Sequence, residues 1–275
     1  MDYIQAVVLG IVEGLTEFLP VSSTGHLTIV EKLLGLRVDD PAVTAYTAVI
    51  QMGAIVAVFV YFWTDIWRIA RAWVVGLVKP ELRGTLDHRM GWYVIVGSLP
   101  IGVIGLLAKD VITGPLRSLW VVAAALIAWS AVMLYAERVG RQHRAEKDLT
   151  LKDAMLVGLV QCVALVPGVS RSGATISTGL LVGLNRVAAT RLSFFLSIPA
   201  LLAAGLYELK DALSGDIGVG ETVVGTVVSF VVAYATVAWL LRFVAGHSIG
   251  RFVPYRVALG VVLLVVLGAG WMTAT

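Results

Sequence analysis

Six stretches of about twenty apolar residues, near 42–63, 92–108, 118–136, 192–209, 222–241 and 255–272, leave this chain few folds to choose from. A helix of that length matches the hydrocarbon thickness of a bilayer. Composition agrees: 59% of the 275 residues are hydrophobic and 14% charged, where a soluble domain carries roughly a quarter charged. A soluble enzyme, a disordered chain, collagen and a disulfide scaffold are excluded. The single cysteine, Cys162, cannot form an internal disulfide. The expected fold is all-α: a polytopic membrane helical bundle forming a single integral membrane domain, 1–275.

Two further apolar stretches, about 3–35 and 154–185, are broken near their middles. The first break reads PVSSTGH (20–26) and the second PGVSRSGAT (167–175). Each half is short for a span, so each stretch reads as a re-entrant helical hairpin. Irregular backbone at membrane depth needs protein or a wet cavity around it, which already points to function. Threading six spans and two hairpins puts fifteen basic residues on one side, from Arg68 to Arg256, and five on the other: Lys32, Arg37, Lys109, Arg117 and Lys210. The richer side is expected to be cytoplasmic, with both termini outside.

An offset of 148 residues aligns the two broken stretches without a gap. Ala6, Gly10, Val12, Val21, Ser22 and Gly25 meet Ala154, Gly158, Val160, Val169, Ser170 and Gly173. Repeat 1 then covers about 1–148 and repeat 2 about 149–275, each with one hairpin and three transmembrane helices. An odd number of crossings turns the second copy over, giving two inverted repeats whose hairpins enter from opposite faces and meet tip to tip.

Glu13 and Glu17 lie four residues apart, so a helix presents both on one face with Gly10 and Gly14. An ionised side chain at the bilayer centre costs at least ~3 kcal/mol by insertion scales. A bound divalent cation would ease the pair. Alternatively, one carboxyl is held protonated and serves as acid or base, or the pair snorkels to water. At the offset position Glu13 becomes Gln161 and Glu17 becomes Leu165, so the acidic chemistry belongs to the first half. The second half brings Arg171, flanked by Ser170 and Ser172, with Thr175 one turn on. Helix N-terminal amides, hydroxyls and a guanidinium fork form a cradle suited to phosphate; a structural pair between Arg171 and a glutamate is the alternative. His26 follows Ser22, Ser23 and Thr24, and can move protons to a leaving oxygen or attack phosphorus. Gln51, in mid-span, reads as a helix-packing residue that could reach the tip. This inventory suits metal-assisted phosphoryl transfer. A secondary transporter or lipid flippase would use the same inverted repeats and tips as an ion or proton site. A purely structural scaffold gives no reason to bury Glu13, Glu17 and Arg171.

EGLTEFLPVSSTGH (13–26) and PGVSRSGAT (167–175) closely resemble the two signature motifs of the bacterial undecaprenyl-diphosphatase family, the bacitracin-resistance type; the resemblance runs along essentially the whole chain, including FLSIPA (195–200). It implies a hydrolase that converts undecaprenyl diphosphate to undecaprenyl phosphate and phosphate, recycling the lipid carrier for peptidoglycan and conferring bacitracin resistance. It further implies a divalent cation, Mg2+ or Ca2+, and residence in the bacterial cytoplasmic (inner) membrane with the pocket facing the periplasm or exterior. The implied partners are the undecaprenyl diphosphate lipid and the membrane, not nucleic acid; oligomeric state stays open, a homodimer included. The family's acidic motif falls on Glu13 and Glu17, the expected catalytic and metal residues. Its serine–histidine segment falls on Ser22, Ser23, Thr24 and His26, and its arginine motif on Ser170, Arg171, Ser172 and Thr175. Ser22, Thr24, Ser170, Ser172 and Thr175 are expected to bind substrate with Arg171. Ser23 is favoured as nucleophile with His26 as partner; His26 or water as nucleophile is the alternative.

Overall fold

The computed structural model describes residues 1–38, 40–214 and 217–274, with Thr113 and 207–214 as backbone only, so Lys210 falls outside the described side chains. Among the described residues there is no strand. The helices are α1 (Tyr3–Thr16), α2 (Ser23–Leu33), α3 (Pro41–Tyr61), α4 (Trp63–Val78), α5 (Leu86–Leu107), α6 (Lys109–Thr113), α7 (Leu119–Val139), α8 (Leu151–Gln161), α9 (Arg171–Leu181), α10 (Arg186–Ser214), α11 (Val219–Gly246) and α12 (Val253–Gly268). Among the described residues six segments, in α3, α5, α7, α10, α11 and α12, are long and apolar enough to cross a membrane, and they fall on the six apolar stretches. This is a multi-pass membrane protein. The bundle's outer surface is apolar, with Val60, Leu99, Leu106, Val227 and Val262 more than half exposed, as a lipid-facing surface requires.

Helix ends depart from the apolar runs where polar residues cap them. Thr85 starts α5 by accepting the His88 N–H, and Ser118 starts α7 by accepting that of Trp120. Helix α4 lies where the sequence reads as a charged loop. Asp65, Arg68 and Arg71 end the apolar run, yet Ile69, Trp73 and Gly76 recur at helical spacing. Trp73 packs on Gly91 and Gly76 on His88, both of α5.

Both broken stretches are helical hairpins. In the first, α1 ends at Thr16 and α2 starts at Ser23; in the second, α8 and a short 3-10 turn (Cys162–Leu165) lead to α9. The 148-residue offset carries α2 onto α9, each of 11 residues. It also carries Ser22, at φ 76°, onto Ser170, at φ 77°, and Gly35 onto Gly183, both at positive φ. A serine at positive φ is costly, roughly 1–3 kcal/mol. In both bends the same serine oxygen caps the next helix, accepting from Gly25 N–H in one and Gly173 N–H in the other.

Packing crosses between the halves. Helix α3 lies along α10 and α7 along α12, while α1 packs on α11 and α8 on α5. With no hydrophobic drive between helices in lipid, such contacts depend on small residues that let backbones approach. A Cβ at Gly10 would fall 2.6 Å from the Gly225 carbonyl oxygen, and one at Gly14 would fall 2.7 Å from that of Ser229. Gly158 of α8 meets the backbone of Gly97 in α5 in the same way.

Ion pairs gather at one end of the bundle. Arg144 pairs with Asp153 (2.5 Å), Arg186 with Glu137 (2.7 Å), and Arg191 with Glu146 (2.5 Å) and Asp65 (3.1 Å). At the opposite end Lys32 donates to Thr273, and Leu119 N–H to the Ala274 carbonyl.

Candidate active site

The close approach at Gly10 and Gly14 seats α1 against α11, which buries the face carrying Glu13 and Glu17. Glu13 is fully buried, and neither of its carboxylate oxygens has a hydrogen-bond partner. Gln161, the residue at its offset position, is likewise fully buried with both polar atoms unpartnered. Glu17 is well supplied: Arg171 Nη2 donates to its Oε1 (2.8 Å), and the Ser23 hydroxyl (2.5 Å) and Gln51 amide (3.4 Å) donate to its Oε2. The glutamate-bearing bend and the arginine-bearing bend therefore meet, as expected from the sequence. Arg171 keeps a second nitrogen, Nη1, buried without a partner.

The two bends are stitched together by backbone and hydroxyl contacts. Gly168 N–H donates to Ser22 Oγ (3.0 Å), and the Ser172 hydroxyl donates to the Leu19 carbonyl (2.8 Å). Ser170 Oγ accepts the Gly173 N–H (3.1 Å) and lies 3.1 Å from Ser172 Oγ. Ser22, Ser170 and Ser172 thus already hold the bends in place. Thr175 is fully buried, with Oγ1 2.6 Å from Ser193 Oγ and 2.8 Å from the Arg171 carbonyl oxygen, inside the α9–α10 contact. Thr24 is exposed, and lines a cavity of about 270 Å³ whose polar walls include Thr28, Glu31, Thr47, Gln51 and Arg117. Through Gln51 the cavity adjoins Glu17. Its volume equals that of roughly nine waters, room for a diphosphate headgroup but not for a long prenyl chain.

His26 does not pair with Ser23. Its Nδ1 lies 2.7 Å from the Ser22 carbonyl oxygen, which can only accept, so Nδ1 carries the proton. Nε2 is left to accept the Tyr255 hydroxyl (2.6 Å). The Ser23 hydroxyl donates its hydrogen bond to Glu17 instead, and His26 is turned back onto the residue that caps its own helix.

Arg256 overturns one sequence expectation. Grouped with the cytoplasmic loop by charge counting, it is fully buried in the bundle and bonded to both bends. Helix α12 begins at Val253, which puts Arg256 inside the helix and beside carbonyls that the bends leave open. The signal was its place within the apolar stretch 255–272.

The donor set fits a divalent cation. Glu13 and Glu17 with Ser23 and Gln51 offer hard oxygens only, and both Glu13 oxygens are buried without a hydrogen-bond partner. No group of three or more His, Cys, Asp or Glu that could hold a metal occurs among the described residues.

The family model for bacitracin resistance protein BacA matches residues 6–262. Undecaprenyl-diphosphatase 1 of Streptomyces coelicolor is 61% identical over 267 residues, covering 97% of this chain and 96% of its own length. Undecaprenyl-diphosphatase 1 of Frankia alni is 59% identical over 271 residues, 98% of each chain. The undecaprenyl-diphosphatase of Acidothermus cellulolyticus is 56% identical over 275 residues, all of both chains. With motif-bearing bends that meet at one buried carboxylate–guanidinium pair and a match along nearly its whole length, this chain belongs to the bacitracin resistance protein BacA family.

Proposed function

We propose that the protein hydrolyses undecaprenyl diphosphate to undecaprenyl phosphate and phosphate, recycling the lipid carrier of cell-wall synthesis and thereby raising bacitracin resistance. The observation that carries this reading is the three-residue contact in which Glu17 accepts from both Ser23 and Arg171. It joins a hydroxyl, a base and an anion-binding group in a buried setting. Arg171 Nη1 has an N–H to offer a phosphate oxygen. Ser23 attacks the terminal phosphorus as Glu17 takes its proton, and the lipid monophosphate leaves. Water then hydrolyses the phosphoserine, releasing phosphate and restoring the hydroxyl. His26 Nε2, once free of Tyr255, is the acceptor for that water's proton. Glu13 and Glu17 are the residues that would hold Mg2+ or Ca2+, which when bound neutralises phosphate charge. Ser22, Ser170, Ser172 and Thr175 support substrate binding by holding Arg171 and Ser23 in place, while Thr24 meets the headgroup in the cavity.

The site faces the periplasm or exterior of the cytoplasmic membrane in this reading. Support comes from the basic loops gathering at the end remote from Thr44, Arg117 and the cavity. The two halves act as inverted repeats; the paired helices and matched serine torsions support this. A homodimer is compatible with the chemistry. A transporter reading leaves the Ser23–Glu17 contact without a role. Purified protein with undecaprenyl diphosphate should release phosphate in the presence of Mg2+ or Ca2+ and stop when the cation is chelated. Arg171→Ala should lower kcat roughly 10³-fold or more. Near-wild-type phosphate release by that variant would refute the assignment.

A further inference from the structure

The first turn of α12 lies against both bends and carries two polar side chains, Tyr255 and Arg256, that take no part in the bond-making above. Arg256 is 0% exposed. Its Nη1 donates to the Pro20 carbonyl (2.9 Å) in the first bend. Its Nη2 donates to the carbonyls of Gly168 (2.9 Å) and Val169 (3.1 Å) in the second. Nε donates to Ser130 Oγ (3.1 Å), which anchors the head on α7. These bonds reach one or two residues from Ser22 and Ser170, where the backbone turns through positive φ and its carbonyls leave the helical ladder. Every one of these acceptors is neutral. A guanidinium buried without a carboxylate partner is a poor source of stability, so its value lies in what its planar fork holds apart and together. A lysine ammonium, a point donor on a flexible stem, cannot span the same acceptors.

We infer that Arg256 is a positioning residue, fixing the spacing of the two bends so that Glu17 and Ser23 of the first confront Arg171 of the second. Tyr255 neighbours His26 instead and serves as the control. Its hydroxyl meets Nε2 at 2.6 Å and its ring stacks on the imidazole, with centroids 5.6 Å apart. The kinetic part of this inference rests on the phosphatase reading; the geometric part does not.

The test uses the full chain in detergent, as wild type, Arg256→Lys, Arg256→Gln and Tyr255→Phe. KM, kcat and thermal midpoint are measured on each. Nitroxide labels at Thr24 and Val163, which lie on the two hairpins, report the distance between them, with Cys162 replaced throughout. Both Arg256 variants should lower kcat about 10²-fold per folded molecule with KM within about threefold, and should broaden the label–label distance distribution. Tyr255→Phe, which keeps the ring and releases Nε2, should change kcat by less than about threefold and leave that distribution unchanged. Arg256→Lys and Arg256→Gln with wild-type kcat would overturn the inference. So would a kcat loss explained by the unfolded fraction, or an unchanged distance distribution. An inactive wild type counts against the phosphatase reading instead, and the distance measurement then decides the inference alone.

Discussion

The Ser23 hydroxyl donates a hydrogen bond to Glu17 while His26 is held by Ser22 and Tyr255, and this ordering ranks the substitutions. Glu17→Gln removes the base beside the hydroxyl and should lower kcat roughly 10²- to 10⁴-fold. His26→Ala, acting on the later hydrolytic step, should cost less and let phosphoserine accumulate, visible by mass spectrometry after a rapid quench. Glu13 behaves differently, because its two oxygens are buried without partners. A buried carboxyl left without hydrogen-bond partners destabilises the fold until something satisfies it. Glu13→Gln should therefore raise the thermal midpoint in chelator while abolishing the further gain on adding Mg2+. A midpoint that falls in chelator would place the stabilising partner of Glu13 within the protein.

Helix α1 carries both glutamates, and its seat on α11 is set by backbone rather than by side chains. Gly14→Ala puts a methyl group against the Ser229 backbone, which cannot yield as a side-chain end would. The expected cost is about 1–3 kcal/mol, with kcat falling as Glu17 shifts. Gly84→Ala is the control, since nothing lies within 4 Å of its added carbon; it should stay within about 0.5 kcal/mol. Urea or thermal unfolding of the two variants checks both. The glycine face of α1 is legible in the sequence, because Gly10, Gly14, Glu13 and Glu17 share one side of any helix. The spans are legible for a similar reason: bilayer thickness fixes their length. Helix α4 is not, since its charges interrupt the hydropathy signal while only Ile69 and Gly76 of it are buried. That Ser22, Ser170 and Thr175 hydrogen-bond within and between the bends is not legible either, because a hydroxyl that grips protein and one that grips phosphate look alike in sequence. Arg256 escapes for the opposite reason: charge counting assigns arginines to loops, and only the fold shows the carbonyls it serves.

Across the whole molecule, each hairpin packs on a span of the other half, α1 on α11 and α8 on α5. The first arm of each hairpin thus rests mainly on a span of the other half, while α9 also packs on α10 of its own. Cutting the chain in the loop near 140–150 should therefore give two fragments that are each degraded when expressed alone. Co-expressed, they should assemble into a protease-resistant, active complex, checked by co-purification and phosphate release. A fragment that is stable alone would show the halves to be separable domains. The same interlocking joins residues 154 positions apart, Glu17 and Arg171, at a single contact. The most direct test is a structure with a non-hydrolysable methylene-bridged prenyl diphosphate analogue and Mg2+. The expected result is one diphosphate group touching Ser23 of the first bend and Arg171 of the second, with the prenyl chain leading out between helices into lipid. An analogue bound at one bend alone, with the Glu17–Arg171 pair intact and remote from it, would contradict a shared site.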